Sequence, residues 1–280
     1  MHASRLVPVR RSAYVAQTQD EERSIPVEAP VAIEINGVTY AVMMATPTCL
    51  EDFVTGFLLS EGLAGAHEIG PISLHPLDEG DGYVARVTLP AHCVEPIMAR
   101  ARHRMGDSSC GICGIESVEA ALRPLPPLAR SVPVRPEAIL KGLRTLREAQ
   151  QLGQETAATH AAAFCDRDGH LVVVREDVGR HNALDKVIGS LARSGISAAD
   201  GFLLVTSRAS FELVEKAVRA CCPLLVAISA PTDLAVRRAQ AAGLALAGVG
   251  VAGGEAAAVV VAGAGRAADH AVTALIGGAL

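Results

Sequence analysis

The chain has 280 residues, half of them hydrophobic and 20% charged, which is the composition of a folded protein with a large core in one domain or two. A formal net charge of −5, aromatic residues at 3% and the lack of tryptophan argue against a partner that is a nucleic acid polymer. The basic N-terminus is not followed by an apolar segment of the kind found in secretory signals, so we expect a cytoplasmic protein.

The N-terminal part of the chain predicts an arm followed by a β-hairpin. Residues 1–25 carry charge and little hydrophobic pattern, and we predict a flexible arm there. Val31 and Ile33 then alternate with less apolar residues, which is the period of a half-buried strand. Asn36-Gly37 predicts a two-residue turn, because both residues tolerate the positive φ angles that such turns need.

A helix, a strand and a second helix are predicted next. Thr48 and Glu51 have the spacing of a capping box, and an apolar stripe of helical period follows them as far as Gly62. Residues 83–89 alternate as a strand does, and residues 93–105 predict a basic helix. A glycine-flanked cysteine segment and a short helix follow it.

A proline-rich stretch over residues 123–136 predicts the boundary between two lobes. A helix over residues 137–151 follows, and strands then alternate with helices as far as Gly243. Such alternation indicates an α/β layer with at least some parallel strands. We therefore predict a flexible arm, an N-terminal lobe that ends with the cysteine segment, and an α/β lobe, over residues 1–25, 26–130 and 131–280.

The segment SSCGICG holds the pair Cys110 and Cys113, which could bind a metal, form a redox disulfide or carry a group on sulfur. A zinc site normally needs more protein ligands than one C-x-x-C supplies, and a thioredoxin-like pair would lie after an early strand of a βαβ unit. The adjacent glycines let another molecule approach the sulfur closely, and a helix beginning after Cys113 would favour a thiolate. The residues therefore favour a nucleophilic thiolate, with two inert thiols in a turn as the alternative.

The segment REDVGRHNALDKVIG gathers polar residues where a predicted strand ends and a helix begins. In open α/β sheets ligands bind at the carboxyl ends of strands, and a helix N-terminus there can hold an anion. The alternatives are structural: Asn182 can cap the helix, Asp177 and Arg180 can form a surface ion pair, and His181 can be a packing residue. The nearby segment SRASFE, Ser207 to Glu212, allows the same two interpretations: it could bind an anion or cap a helix.

The C-terminal region is rich in alanine, glycine and valine. Gly248, Gly250 and Gly253 spell G-x-G-x-x-G, but too little chain follows them for a dinucleotide-binding βαβ unit. The apolar run from residue 241 to 263 is interrupted by Glu255, so we predict buried strands and turns and no membrane span.

Five motifs, in this order, resemble the formate dehydrogenase accessory sulfurtransferases, the FdhD family. They are PVEAPVAIEINGVTYAVMMATPTCLEDFVTGFLLSEGL, SSCGICG, REDVGRHNALDKVIG, TSRASFELVEKAV and ISAPTDLAVRRAQAAGLALAG. The resemblance extends from about Ile25 to about Gly248. It implies a cytidine-deaminase-like C-terminal lobe without deaminase zinc chemistry, a smaller N-terminal α+β lobe, and a homodimer.

The resemblance also implies a function. A member of this family takes sulfane sulfur from a cysteine desulfurase as a cysteine persulfide. It passes that sulfur to the molybdenum cofactor, bis(molybdopterin guanine dinucleotide), before the cofactor enters the formate dehydrogenase catalytic subunit. Cys110 would hold the persulfide and Cys113 would assist or resolve it, with the cofactor as bound substrate and no metal of the protein's own. The residues expected to contact the cofactor are Asp177, Arg180, His181, Asn182, Lys186, Val249, Gly250, Val251, Ala252, Gly253 and Gly254.

The sequence departs from the family pattern in three places. Ala157-Ala158 stand where the family has two glycines, and Cys49 stands where an aspartate is expected. After Gly248 the family has an aromatic residue, an arginine, an asparagine and a tyrosine that contribute to cofactor binding, whereas this chain continues VGVAGG. Two other functions remain open: a chaperone that docks the molybdenum cofactor without transferring sulfur, and a structural zinc-binding protein.

Overall fold

The computed structural model of the chain describes residues 2–11, 19–77, 82–95, 97, 123–129, 133–252, 255–262 and 274–276. Its first two strands, β1 (Ser4–Arg11) and β2 (Gln19–Pro26), form an antiparallel pair. Ser4 and Ser24 both donate hydrogen bonds to the carboxylate of Glu155, which belongs to the C-terminal part of the chain. The prediction of an arm without regular structure is therefore wrong for these strands, which pair along backbone groups that need no hydrophobic pattern.

A four-stranded sheet and a helix make up the next part of the chain. The sheet has the order β4-β3-β6-β5, with β3 at Ala29–Ile35, β4 at Val38–Ala45, β5 at Ile72–Pro76 and β6 at Tyr83–Val87. Helix α1, Leu50–Ser60, buries its apolar stripe against this sheet in one hydrophobic cluster. The predicted hairpin is confirmed: Asn36 and Gly37 have φ of 49° and 82°, as the two-residue turn requires.

The C-terminal part of the chain is built on a seven-stranded sheet of order β13-β12-β11-β10-β9-β7-β8. The strands are β7 (His160–Asp166), β8 (Leu171–Asp177), β9 (Gly201–Val205), β10 (Leu224–Ile228), β11 (Ala245–Ala252), β12 (Glu255–Ala262) and β13 (Ala274–Ile276). Strands β9, β10 and β11 are parallel, and β7 is antiparallel to both of its neighbours. The predicted α/β layer with some parallel strands is confirmed.

Five further helices accompany this sheet in the described part of the chain: α2 (Pro136–Ala149), α3 (Gln151–Thr156), α4 (Arg180–Arg193), α5 (Phe211–Arg219) and α6 (Asp233–Ala242). Alternate residues of the central strands enter two separate clusters, as a period of two dictates. Leu203 and Leu225 pack with α4, α5 and α6, whereas Phe202 and Leu224 pack with α2. The sheet is thus covered on both faces, which explains its continuous apolar strands.

Helices α1 and α4 bring the two parts of the chain together at a pair of glycines. A Cβ atom on Gly56 would lie 1.7 Å from the carbonyl oxygen of Asp185, and one on Gly189 would lie 1.8 Å from that of Asp52. Only glycine fits at both positions, because each helix backbone takes the space that a side chain would need. This crossing places the first turns of α4 beside the end of β4.

Several predicted boundaries need correction. Helix α1 starts after Cys49, which has a φ of 51°, and the side chain of Thr48 makes no cap hydrogen bond with the described residues. Strand β7 was not predicted as a strand, since its sequence HAAAFCD is short and alanine-rich.

Among the residues that the structure describes, no helix has the length and apolar character to span a bilayer.

Candidate functional site

Several strands of the large sheet end at one edge. Because β7 is antiparallel to β8 and to β9, strands β8, β9, β10 and β11 all point the same way, and their carboxyl ends share one edge. Helices α4, α5 and α6 follow β8, β9 and β10, so their N-termini also lie there. We call this region the carboxyl edge. Ligands bind at such edges in open α/β sheets, where helix dipoles favour anions.

Three of the residues predicted to bind a cofactor are instead buried in a closed hydrogen-bond network. Asp177 and Lys186 are fully buried, with 2.6 Å between Oδ2 and Nζ. The other Asp177 oxygen accepts from Asn182 Nδ2 at 3.0 Å and from the backbone N–H of Gly179 at 2.8 Å. Lys186 also donates to the Thr46 carbonyl at 2.9 Å and to the Glu176 carbonyl at 3.3 Å.

This network joins the end of β8 to the segment after β4. The backbone N–H of Thr46 donates to Asp177 Oδ2 at 3.0 Å, and Asn182 Nδ2 donates to the Met44 carbonyl at 2.8 Å. The four acceptor sites of the Asp177 carboxylate and the three donors of Lys186 are thereby used. The polar groups of Asp177, Asn182 and Lys186 thus hold the two parts of the chain together, and the expectation that they contact a ligand stays a prediction.

Two alternatives for the same segment are also settled by the geometry. Helix α4 begins at Arg180 with Gly179 as N-cap, so Asn182 lies inside the first turn and is not the cap. Asp177 pairs with Lys186, one turn further along α4 than Asn182, and not with Arg180.

Arg180 and His181 differ from these neighbours because they remain open. Arg180 is half-exposed and forms no ion pair or side-chain hydrogen bond with another described residue. The Nε2 atom of His181 is buried yet lacks a hydrogen-bond partner within the described ranges, its nearest carboxylate oxygen being Glu212 Oε2 at 4.0 Å. Burial lowers the pKa of His181 to about 4, with Arg180 and Lys216 adding to the shift and Glu212 opposing it. The ring is therefore neutral at pH 7.

The strand beside β8 adds a second histidine that the sequence analysis did not single out. His160 is the first residue of β7 and pairs with Asp177 across the sheet. Burial and the charge of Arg180 lower the pKa of His160 below its usual range, and Asp177 opposes the shift. Its position at the start of an unpredicted strand is the reason it was missed.

The segment SRASFE provides the next side chains of the carboxyl edge. Ser210 is the N-cap residue of α5, and its Oγ is buried without a hydrogen-bond partner among the residues described. Arg208 is exposed just before it. A buried hydroxyl and a buried ring nitrogen left without partners cost free energy, which a ligand with complementary polar groups would recover.

Backbone strain marks the end of the following strand. Ser229, directly after β10, has a φ of 100°, a region that residues with a side chain rarely adopt and that costs on the order of 1–3 kcal/mol. Its N–H donates to the carbonyl of Val249 at 2.7 Å, which ties it to β11. Strained residues held by their surroundings cluster at binding sites, and this one lies at the same edge.

The glycine-rich segment after Gly248 is a strand over most of its length. Val249 is buried and pairs with Ile228 of β10, and Gly250 to Ala252 continue β11 in antiparallel pairing with β12. Val249, Gly250, Val251 and Ala252, which are expected to contact the cofactor, therefore lie in paired strand backbone, and their contact with the cofactor stays a prediction. Gly253 and Gly254 lie outside the described residues.

Cys110, Cys113 and the rest of the predicted cysteine segment also lie outside the described residues, as does most of the predicted basic helix. Among the described cysteines, Cys49 and Cys221 are exposed, and Cys93, Cys165 and Cys222 are buried. Burial raises the pKa of the Cys165 and Cys222 thiols to about 12, so both remain protonated and unreactive at pH 7.

The fold and this edge define a class: a mixed α/β protein with helix N-termini, arginines and unpartnered polar atoms at the carboxyl edge of its main sheet. A family model described as the FdhD/NarQ family matches residues 26–264. The chain is 45% identical over 249 residues to a sulfur carrier protein FdhD of Variovorax paradoxus, covering 88% of each chain. It is 46% identical over 245 residues to that of Xanthomonas axonopodis pv. citri, covering 87% of this chain and 85% of the relative. The chain therefore belongs to the FdhD/NarQ family.

The fold has a counterpart among solved structures. A chain described as a formate dehydrogenase accessory protein of Desulfotalea psychrophila superposes with a TM-score of 0.72 at 24% identity, covering 95% of this chain and 99% of the other. At that identity the likeness shows the fold alone. It confirms the mixed α/β architecture, and the expectation of a cytidine-deaminase-like lobe stays a prediction.

Proposed function

We propose that the chain is a sulfur carrier that accepts sulfane sulfur from a cysteine desulfurase and transfers it to the molybdenum cofactor used by formate dehydrogenase. The observation that carries this proposal is the 45% identity, over most of both chains, to a relative named as a sulfur carrier protein. The pair Cys110 and Cys113 supplies the thiols that such a role needs. Both a cytoplasmic location and a homodimer belong to the same proposal.

Loading needs only thiol chemistry. The thiolate of Cys110 attacks the outer sulfur of the desulfurase persulfide, a new S–S bond forms on Cys110, and the desulfurase cysteine leaves as a thiolate. The sulfane sulfur moves with no external oxidant or reductant, because one S–S bond replaces another. Cys113 follows three residues further on in the sequence, and we assign it to attack the carrier persulfide or assist its release.

The carboxyl edge is the region we assign to the guanine nucleotide part of the cofactor. Arg180 and Arg208 supply positive charge beside the N-termini of α4 and α5, which suits a pyrophosphate. The unpartnered His181 Nε2 and Ser210 Oγ offer hydrogen bonds to sugar or base groups. Asp177, Asn182 and Lys186 act here as positioning residues, since their network holds the first turn of α4 in place.

Sulfur loading is tested by the intact mass of the protein under non-reducing conditions, after incubation with cysteine and a cysteine desulfurase. We expect the mass of one or more added sulfur atoms in the unaltered chain and none in Cys110→Ala. Cys221→Ser is the matched control, because Cys221 is an exposed thiol outside the proposed machinery. Loading that survives Cys110→Ala, or that is lost in the control, contradicts the assignment.

Nucleotide binding is tested separately by titrating the full chain with guanosine diphosphate. We expect Arg180→Ala and Arg208→Ala each to weaken binding by about tenfold or more, since a charge-assisted hydrogen bond contributes about 1.5–3 kcal/mol. Arg86→Ala is the control: Arg86 is an exposed arginine of the four-stranded sheet, paired with Glu34. Equal affinities in the unaltered chain and the three variants would contradict the assignment of nucleotide binding to the carboxyl edge.

Activation of a formate dehydrogenase separates the two functional candidates. A sulfur carrier requires Cys110 for activation, whereas a chaperone that only docks the cofactor does not. Activation by Cys110→Ala at the level of the unaltered chain would favour the chaperone, and activation lost with nucleotide binding retained would favour sulfur transfer.

A further inference from the structure

A second group of chemically competent side chains lies in the N-terminal part of the chain. Glu68 ends a short 3-10 helix, Ala66–Glu68, and His92 and Cys93 lie in the helical turn over residues 91–95. One carboxylate oxygen of Glu68, one ring nitrogen of His92 and the thiol sulfur of Cys93 all lie within 4.8 Å of one another. The contacts join residues 24 positions apart in the sequence.

We propose that Glu68, His92 and Cys93 form a binding site for a divalent transition-metal ion of the zinc class, with a water molecule as the fourth ligand. A thiolate, an imidazole and a carboxylate are all ligands that zinc takes in proteins, and three protein ligands plus water is the arrangement of open zinc sites. Sulfur and nitrogen donors exclude a magnesium or calcium preference. The proposal departs from the expectation of no resident metal, which the resemblance to the family implied.

The geometry is close to that of a coordinated ion. Bonds of about 2.0–2.3 Å in a tetrahedral site place ligand atoms about 3.3–3.7 Å apart. His92 Nε2 lies 2.5 Å from Glu68 Oε1, so those two atoms would move apart to admit an ion. The side chain of His92 is 70% exposed and can rotate without disturbing the core.

The carboxylate is already held in a position to bind. Glu68 Oε2 accepts a hydrogen bond from the backbone N–H of Gly65 at 2.5 Å, which leaves Oε1 directed at His92. Such an outer hydrogen bond orients a ligand and raises the affinity of a metal site. The Glu68 side chain is 18% exposed and Cys93 only 9%, so the three ligands form a shallow site with one face open to water.

Charge balance supports a divalent cation. Metal binding displaces the thiol proton of Cys93 to solvent, and the resulting thiolate together with the Glu68 carboxylate neutralises the two charges of the ion. A neutral complex at a half-buried position avoids the cost of an uncompensated charge.

The test uses Co²⁺ as the probe, with the full untagged chain carrying Cys110→Ser and Cys113→Ser. Those two substitutions remove the other thiol pair able to bind a metal, and tetrahedral Co²⁺ reports a cysteine ligand through a sulfur-to-metal charge-transfer band. We expect one Co²⁺ per chain with this band, displaced by an equal amount of Zn²⁺. His92→Ala in the same background should weaken binding by at least about tenfold.

Two further variants complete the test. His75→Ala is the matched control, since His75 is another exposed histidine in the same part of the chain, and we expect it to bind Co²⁺ unchanged. Cys93→Ser should abolish the charge-transfer band. No band in the starting background, or a band of equal affinity in His92→Ala, overturns the proposal. Because His92 is exposed, its variant gives this answer even if Cys93→Ser folds poorly.

Discussion

Helix α4 takes part in two regions with opposite character. In its first turn, Arg180 and His181 have polar groups that no described residue satisfies, and they face the carboxyl edge. Asn182 and Lys186 belong to a network in which every donor and acceptor of the Asp177–Lys186 pair is used. The difference shows that the density of polar residues in a motif does not identify a binding site. What identifies it is which of those polar groups are left unsatisfied.

A second buried hydrogen-bond network includes Asp185 of the same helix. Asp185 accepts from Lys216 at 3.0 Å and from the hydroxyl of Ser60 at 2.6 Å, and Lys216 also reaches Ser60 and Glu61. Asp52 of α1 is bound in a similar way by Arg175 and Arg193. These pairs join α1 to α4, β8 and α5, so the contacts of α1 with these elements are polar as well as closely packed.

The largest expected effect separates the closed network from the open turn. Lys186→Met should lower the free energy of unfolding by about 3–5 kcal/mol, because it leaves the buried Asp177 carboxylate without its cation. Arg180→Ala should change the same quantity by less than about 0.5 kcal/mol, as a surface substitution does. Urea unfolding of both variants measures the difference. Adding Asp177→Asn to Lys186→Met should restore part of the loss, and a double variant less stable than the single one would contradict this account.

The crossing of helices α1 and α4 predicts the next effect. Gly189→Ala should destabilise the protein by about 1–3 kcal/mol or more, because its Cβ would lie 1.8 Å from a backbone oxygen that cannot move alone. Gly142→Ala is the control in α2, where a Cβ meets only side-chain atoms at 3.0 Å and beyond. Thermal unfolding of the two variants should rank them in that order. The same loss of stability in both variants would mean that the close approach of α1 and α4 does not determine the effect of Gly189→Ala.

The closed region should also have its own pH dependence. Burial raises the pKa of Asp185 to about 6, although Lys216 and the Ser60 hydroxyl oppose the shift, against an ordinary value of 3.8. Between pH 4 and 6 the folded protein therefore holds a proton that the unfolded chain has released. This carboxyl makes the free energy of unfolding fall as the pH rises through that range. In Asp185→Asn this contribution should vanish. Urea unfolding at several pH values would then show a more positive slope of the free energy of unfolding against pH.

The open region should contribute to the pH dependence with the opposite sign. The pKa of His181 is about 4 in the folded protein against an ordinary 6.5, so between those values the unfolded chain binds the extra proton. The contribution of His181 to the free energy of unfolding therefore rises with pH between those values. That stabilisation is lost as the pH falls below 6.5. His181→Asn should make the slope between pH 4.5 and 6.5 less positive. A slope unchanged in that variant would show that the ring is not held neutral at the carboxyl edge.

Part of the fold could be predicted because it depends on local rules. The turn at Asn36-Gly37 needs two positive φ angles, and the helix ends near Gly62 and Gly243 need a left-handed residue. The type of a single residue therefore predicts each of these features. The alternation of apolar strands and amphipathic helices likewise predicts the parallel part of the sheet. Strand β7 and the pair β1 and β2 were missed, since their pairing partners, and not their own pattern, make them strands.

The sequence by itself determined the class of fold, the family and the segments at which polar residues gather. Only the tertiary structure decided that Asp177 and Lys186 are closed off while Arg180 and His181 stay open, because that depends on Thr46 arriving from another part of the chain. The same holds for Glu68, His92 and Cys93, which lie apart in sequence and meet through the packing of a helical turn. Spacing along a chain reports local geometry, whereas burial and hydrogen-bond satisfaction are properties of contacts between distant segments.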